Sequence, residues 1–241
     1  MSLNGKTILI TGGSRRIGRS LALAVADAGA NVVIHYRKSR PEAESVKAEI
    51  ESLGRKASLI EADLADPAQA AGLIPRALEY GPLFALVNNA AVFEPLTLEN
   101  TRLEDWNMHL SVNLTAPFLL SQAFSRSLKP GESGRIVNML DWRALRPGPD
   151  HLPYTISKSA LAALTQSLAI ALAPQVIVNG LALGAILPPS DGANSERILE
   201  RVPARRWASL EEVNQALVFL LDGPAYIVGE ILFLDGGRHL V

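Results

Sequence analysis

Short runs of β-branched and other apolar residues alternate along the chain with longer segments whose apolar positions recur at helical spacing. Read in order, the pattern predicts a strand at Thr7–Ile10, a helix at Arg16–Ala28, a strand at Val32–Tyr36, a helix at Glu42–Leu53 and a strand at Ala57–Glu61. A helix at Pro67–Glu79 and a strand at Leu83–Asn88 follow, then a long helical region with a break from about Leu103 to Leu128. The last third predicts a strand at Arg135–Leu140, a helix at Tyr154–Leu172, a strand at Val176–Asn179, a helix at Leu210–Leu221 and a strand at Ile231–Leu234. The strands lack polar alternation, as expected when both faces of a sheet are covered. Repeated strand–helix alternation without a linker or repeat predicts one domain over residues 1–241. Its fold class is α/β, a Rossmann-type, doubly wound parallel sheet with helices on both faces. The Gly-, Pro-, Asp- and Ser-rich stretch at about residues 184–203 follows the C-terminal end of a strand, where ligands bind in this architecture. It is expected to be a substrate loop or lid, the other reading being a plain surface connection.

Composition narrows the chemistry. The 241 residues are 48% hydrophobic, enough for a sizeable core, and the net charge of −1 gives no general attraction to nucleic acid or to an anionic membrane. The absence of cysteine excludes disulfides, thiolate metal sites and a cysteine nucleophile, and suits a cytoplasmic protein. The first residues run straight into a strand pattern, leaving no room for a signal peptide. The apolar stretch Ala160–Ala173 reads as too short and too interrupted to span a bilayer. The histidines, His35, His109, His151 and His239, include no pair at ligand spacing, so no metal is expected.

The first strand ends in Thr11-Gly12-Gly13-Ser14-Arg15-Arg16-Ile17-Gly18, with a helix behind it. Glycines let backbone approach a pyrophosphate, and the helix N-terminus supplies N–H donors and positive potential. Enzymes that bind NAD place an acid about twenty residues on, for the adenosine ribose. Here the second strand ends His35-Tyr36-Arg37-Lys38-Ser39, without an acid. Arginine and lysine suit a 2′-phosphate, which a carboxylate would repel, and Arg16 can converge on it from the turn. The cofactor expected is NADP(H), the other reading being a solvated charge run at Arg37, Lys38 and Arg40.

Tyr154 and Lys158 lie at i and i+4 and share one helix face. A tyrosine needs its ordinary value of about 10 lowered to exchange protons near neutrality, and a neighbouring ammonium together with an oxidised nicotinamide is expected to do that. Asn88-Asn89-Ala90-Ala91, Val112-Asn113-Leu114, Tyr154-x-x-x-Lys158 and Asp235-Gly236-Gly237 stand in the order and spacing of the short-chain dehydrogenase/reductase family, and with the glycine turn the resemblance covers essentially the whole chain. The turn resembles that family's Thr-Gly-x-x-x-Gly-x-Gly, with Arg16 replacing the middle glycine. The resemblance implies that Tyr154 is the proton donor and that Lys158 holds the nicotinamide ribose. It further implies that Asn113 anchors water in a proton relay and that Gly12, Ser14, Ile17, Gly18, Leu64, Asn89, Ala90 and Gly184 line the cofactor. Asp63 resembles the family's adenine-contacting acid, a helix cap or turn aspartate being the alternative.

Asp141 stands thirteen residues before Tyr154, where most members of the family have serine. With Arg16, the basic end of the second strand and the ending Asp-Gly-Gly-Arg-His-Leu, it resembles the pteridine reductase branch, including dihydromonapterin reductases. Phe93 stands where that branch sandwiches a pterin against the nicotinamide, packing being the other reading. The implied substrate residues are Phe93, Asp141 and Tyr154, and the implied catalytic set is Asp141, Tyr154, Lys158 and Asn113. The expected activity is NADPH-dependent reduction of a dihydropterin, possible dihydrofolate included, with Asp141 relaying a proton or binding the ring. An NADPH-dependent reductase of 3-oxoacyl thioesters or small ketones is the alternative, with Asp141 a structural acceptor. A non-catalytic NADPH sensor is a third reading, against which the complete Asn113, Tyr154, Lys158 set argues. Arg143 and Arg146 read as solvent-facing rather than as contacts for an anionic tail. The partners expected are a small-molecule substrate and copies of the same chain in a homotetramer, with Arg238-His239-Leu240-Val241 reaching a neighbouring subunit.

Overall fold

A computed structural model describes residues 3–188 and 195–241. The strands are β1 (Thr7–Ile10), β2 (Asn31–Tyr36), β3 (Ala57–Glu61), β4 (Leu83–Asn88), β5 (Gly134–Asp141), β6 (Val176–Leu183) and β7 (Ile231–Leu234). The helices are α1 (Arg16–Asp27), α2 (Arg40–Ser52), α3 (Pro67–Leu78), α4 (Leu103–Leu110), α5 (Ala116–Ser127), α6 (Leu152–Leu172), α7 (Ser195–Glu200) and α8 (Leu210–Asp222). The strands pair in parallel in the order β3-β2-β1-β4-β5-β6-β7, so the chain reverses direction across the sheet between β1 and β4. A crevice at such a reversal is where α/β sheets bind ligands.

The apolar run of each inner strand is explained by what covers it. Ile8, Ile10, Val32 and Ile34 point into a core closed by Leu21 and Val25 of α1 and Val213 and Leu217 of α8. Leu9 and Val33 point the other way, onto Leu73 and Ile74 of α3 and Leu120 and Phe124 of α5. Each fully buried leucine or isoleucine contributes about 1.5–3 kcal/mol relative to exposure. Helix α8 starts at a reciprocal cap. The Ser209 hydroxyl accepts from the Glu212 N–H at 3.2 Å, and the Glu212 carboxylate accepts from the Ser209 N–H at 2.8 Å.

Three expectations need correction. Strand β6 runs on to Leu183, four residues past the predicted end, because Gly180, Leu181 and Ala182 pair with Met139, Leu140 and their neighbours on β5. Their low β-propensity hid a fully buried strand. The predicted irregular stretch contains α7, and its first residues, Ala185 and Ile186, are buried; the proposed lid otherwise falls partly outside the described residues. Helix α6 is 21 residues long, and by length and composition it is long and apolar enough to cross a membrane. It is instead packed on β6 and β5, with Tyr154, Lys158, Leu161 and Thr165 buried.

Candidate active site

The turn after β1 is built by hydrogen bonds to β4. The Thr11 hydroxyl accepts from the N–H groups of Asn89 and Ala90 at 2.9 and 3.0 Å, and the Asn89 amide donates to the carbonyls of Thr11 and Gly12 at 2.8 and 3.2 Å. Gly12 has φ +63°, and a Cβ on Gly18 would stand 2.0 Å from the Gly12 oxygen, so neither position admits a side chain without rearrangement. The first turn of α1 has no side-chain cap, which leaves its N–H groups to face the crevice. That crevice has a volume of about 900 Å³ and is lined by Gly12, Ser14, Arg16, Ile17, Gly18, Tyr36, Arg37, Ser39, Asp63, Leu64, Asn89 and Ala90. Lys38 is exposed beside Arg37, and the Ser14 and Ser39 hydroxyls are 2.6 Å apart. An uncapped helix start, a tight glycine turn and basic side chains at the end of β2 fit a dinucleotide carrying a 2′-phosphate.

Within this cradle Arg16 departs from its surroundings. It occupies the left-handed region at φ +49°, where the family's pattern has glycine. A left-handed non-glycine residue costs about 1–2 kcal/mol. Arg16→Gly is therefore expected to stabilise the protein by about 1 kcal/mol in urea unfolding while raising the KM for NADPH several-fold. A stabilised variant with unchanged KM would remove Arg16 from the cofactor site.

His35 was not singled out by its sequence position, yet it braces the turn. The Gly12 N–H donates to its Nδ1 at 3.1 Å, and its Nε2 lies 3.0 Å from the Ala62 oxygen. A carbonyl only accepts, so Nε2 carries the hydrogen and the ring must be neutral. Burial lowers its pKa to about 4, against the smaller opposing pull of the Ala62 carbonyl. The folded value lies below the ordinary 6.5, so this stability is present above pH 6.5 and is lost as pH falls towards 4, about 3 kcal/mol in full. Unfolding midpoints measured from pH 7 to 4 are expected to fall less steeply for His35→Gln than for the wild type, and parallel slopes would refute the assignment.

The expected reacting groups hang from β4, β5 and α6. Tyr154 and Lys158 occupy the first two turns of α6, both buried. The Tyr154 hydroxyl donates to Asp141 Oδ2 at 3.1 Å, and Asp141 Oδ1 accepts from the Arg143 N–H at 2.9 Å. The Lys158 ammonium donates to the Met139 carbonyl at 2.6 Å. Burial lowers the Lys158 pKa to about 8, with the Asp141 charge opposing. Burial also holds Asp141 above the usual carboxylate range. Tyr154 is pushed well above 10, first by burial and then by the Asp141 charge and hydrogen bond. In the protein alone Lys158 does not offset this, since the ammonium lies 5.8 Å from the ring centroid and bonds Met139, while the carboxylate touches the hydroxyl.

Asn113 falls in a π-helical turn, Ser111–Thr115, which is the predicted helix break. Its amide donates to the Val92 carbonyl at 3.0 Å and to the Ser157 hydroxyl at 3.0 Å, and its Oδ1 accepts from the Val92 N–H at 2.8 Å. Both amide hydrogens are engaged, so the side chain braces the segment after β4 against α6, and only an acceptor atom of Asn113 can hold the expected relay water. Phe93, on the braced segment, is 55% exposed and sets its ring edge-on to Tyr154 at 4.6 Å and against His151 at 4.2 Å.

Some expected residues make contacts that the sequence did not show. Asp63 accepts from the Ala65 N–H at 3.0 Å in a tight turn, although it also lines the crevice 4.0 Å from Arg37. Gly184 packs where a Cβ would meet the Asp235 Cα at 2.5 Å, a packing requirement. Arg143 does not face solvent: its guanidinium donates to Asp150 at 2.9 Å and its side chain is 15% exposed, whereas Arg146 is exposed as expected. Arg238 folds over Trp142 of its own chain, 4.2 Å from the ring. His151 was missed. It is left-handed (φ +54°) and lines the crevice, features set by packing that sequence spacing does not carry. Among the described residues no metal-binding cluster occurs.

A seven-stranded parallel sheet with a glycine turn at its switch point and a Tyr–Lys pair beside it defines a nucleotide-dependent oxidoreductase class. The chain belongs to the short-chain dehydrogenase/reductase family, residues 12–239 matching a family model described as enoyl-(acyl carrier protein) reductase. It is 34% identical to a 3-oxoacyl-[acyl-carrier-protein] reductase of Synechocystis, with 98% of each chain covered. Among solved structures it resembles the FolM alternative dihydrofolate reductase 1 of Brucella canis complexed with NADP (TM-score 0.91, 34% identity, 98% of this chain and 95% of that one). It also resembles a short-chain dehydrogenase of Burkholderia cenocepacia in complex with NADP (TM-score 0.93, 39% identity, 99% of both chains).

Proposed function

We propose that the protein is an NADPH-dependent pteridine reductase that reduces a dihydropterin, dihydrofolate included, to the tetrahydro form. The observation that carries this reading is the 3.1 Å hydrogen bond from Tyr154 to Asp141, a half-buried carboxyl where a simple ketone reductase needs only a hydroxyl donor. The Brucella neighbour's name points the same way, and its NADP and that of the Burkholderia protein support the cofactor. NADPH, when bound, supplies the hydride. Arg16, Arg37, Lys38 and Ser39 would hold its 2′-phosphate end, and Lys158 the nicotinamide ribose. Phe93 covers the ring of the substrate. Tyr154 gives its proton to the substrate nitrogen, and Asp141, which burial holds above its ordinary range, takes up a proton from solvent and passes it to the Tyr154 oxygen.

The Synechocystis relative favours a second reading, reduction of a 3-oxoacyl thioester, in which Asp141 only orients Tyr154. Purified protein with NADPH or NADH, followed by cofactor absorbance against dihydrobiopterin, dihydromonapterin, dihydrofolate and acetoacetyl thioesters, separates the two. Oxidation of NADPH with dihydropterins is the expected result, and turnover of thioesters alone overturns it. The protein is further read as a cytoplasmic homotetramer, for which Phe118 of α5 and Ile170 of α6 offer exposed apolar contacts. A monomer in light scattering would remove that reading.

A further inference from the structure

The C-terminal turn is fixed with unusual care for a chain end. Asp235 is 4% exposed and spends both carboxylate oxygens on this turn. Oδ1 accepts from the Gly237 N–H at 2.9 Å, while Oδ2 accepts from the His239 N–H at 2.7 Å and lies 2.8 Å from that residue's Nδ1. The His239 ring in turn stacks on Phe233 at 4.0 Å. The result holds Arg238, half-buried, over the ring of Trp142, the residue that directly follows Asp141.

Arg238 has a cation–π contact there, but among the described residues no carboxylate lies within ion-pair distance of its guanidinium and none accepts a hydrogen bond from it. The two nearby acids are taken. Asp150 accepts from Arg143 at 2.9 Å, and Asp141 accepts from Tyr154 and from the Arg143 backbone. Arg143 also approaches Trp142, at 5.0 Å, and Arg201 adds a further positive charge felt at Arg238. Arg143 and Arg238 therefore both lie on Trp142, and of the two only Arg143 has a carboxylate partner. An arginine placed by a buried carboxylate, stacked on an aromatic face and left without an anion is arranged to receive one from outside.

We infer that Arg238 binds an anionic group, a carboxylate or phosphate, on the tail of the substrate whose ring is reduced at Tyr154. The inference rests on the pteridine reading for which substrate carries the anion, though the recognition chemistry is the same for the glutamate of a folate and the phosphates of a coenzyme A thioester. It makes the enzyme a discriminator of tails as well as of rings.

The test compares matched substrates with the full-length wild type, Arg238→Gln and Arg238→Lys. Wild type should show a higher kcat/KM for dihydrofolate than for dihydrobiopterin, whose side chain is neutral. Arg238→Gln should lower that ratio roughly tenfold, through KM for dihydrofolate rather than kcat, as expected for loss of a hydrogen bond to a charged group. Arg238→Lys should restore part of it, since the charge returns without the fork. A ratio unmoved by Arg238→Gln in a variant that melts like the wild type overturns the inference. If no pterin is reduced, the pteridine reading has failed instead. Acetoacetyl-coenzyme A against neutral acetoacetyl-N-acetylcysteamine then applies the same criterion: a ratio lowered tenfold sustains anion binding, and an unchanged ratio refutes it.

Discussion

Replacing Tyr154 by phenylalanine is expected to lower kcat about a thousandfold, some 4 kcal/mol of barrier, while NADPH still binds. The ring would remain against Phe93, and Lys158 would keep its bond to Met139, so the variant should fold and hold cofactor. What disappears is the hydroxyl that donates to Asp141 Oδ2. That hydrogen bond is one of the influences keeping the Asp141 carboxyl from rising further, so its loss drives Asp141 upward and leaves it protonated over a wider range. Cofactor fluorescence with single-turnover reduction checks both halves. Activity within tenfold of wild type would mean that Asp141, not Tyr154, delivers the proton.

The second large effect is expected at Asp141. Asp141→Ser should reduce kcat/KM for a dihydropterin about a hundredfold and should leave or improve reduction of a ketone. The serine hydroxyl can still accept from the Arg143 backbone N–H, so the short 3₁₀ turn Trp142–Ala144 need not collapse. The carboxylate's other influences point in known directions: it raises both Tyr154 and Lys158. Without it, Tyr154 comes down towards the range of an ordinary ketone reductase, and Lys158 falls below its present value of about 8. Lys158 is charged below that value, so activity that needs the ammonium declines on the alkaline side. This alkaline limb should move to lower pH in Asp141→Ser, a shift that damaged packing alone would not produce. Equal losses for pterin and ketone, with an unmoved limb, would reduce Asp141 to a structural acceptor.

The sheet and its order of elements were legible because both periodicities were intact: solid apolar runs for strands buried on two faces, and helical stripes such as Leu21, Ala22 and Val25 between them. Ends were legible where a residue forces them, as at Pro67 after the Asp66 cap, and not where pairing alone extends a strand, as at Gly180–Leu183. The neighbouring placement of Tyr154 and Lys158 was legible because i, i+4 spacing on a helix converts directly into a shared face. Their protonation behaviour was not, since it depends on which of two neighbours reaches the phenol, and Asp141 does so from another element. The bracing role of His35 and the contact of Arg238 with Trp142 stayed unread for the same reason. Each acts through a partner far away in sequence, Gly12 and Ala62 for the first and Trp142 for the second.

The line between β1 and β4 also divides labour. Arg16, Arg37, Lys38 and Ser39 hang from β1 and β2, whereas Phe93, Asn113, Asp141, Tyr154 and Lys158 hang from β4, β5 and the helices beside them. Of the second set Phe93 lines the crevice with the first, but no hydrogen bond among the described residues joins the two sets side chain to side chain. Substitutions on one side then combine nearly additively with those on the other. A lineage built on this scaffold can exchange its electron donor without relearning its proton chemistry, or take up a new acceptor while keeping its donor. Relatives of one-third identity carry the names of a 3-oxoacyl-[acyl-carrier-protein] reductase and a dihydrofolate reductase, so the scaffold is compatible with more than one acceptor.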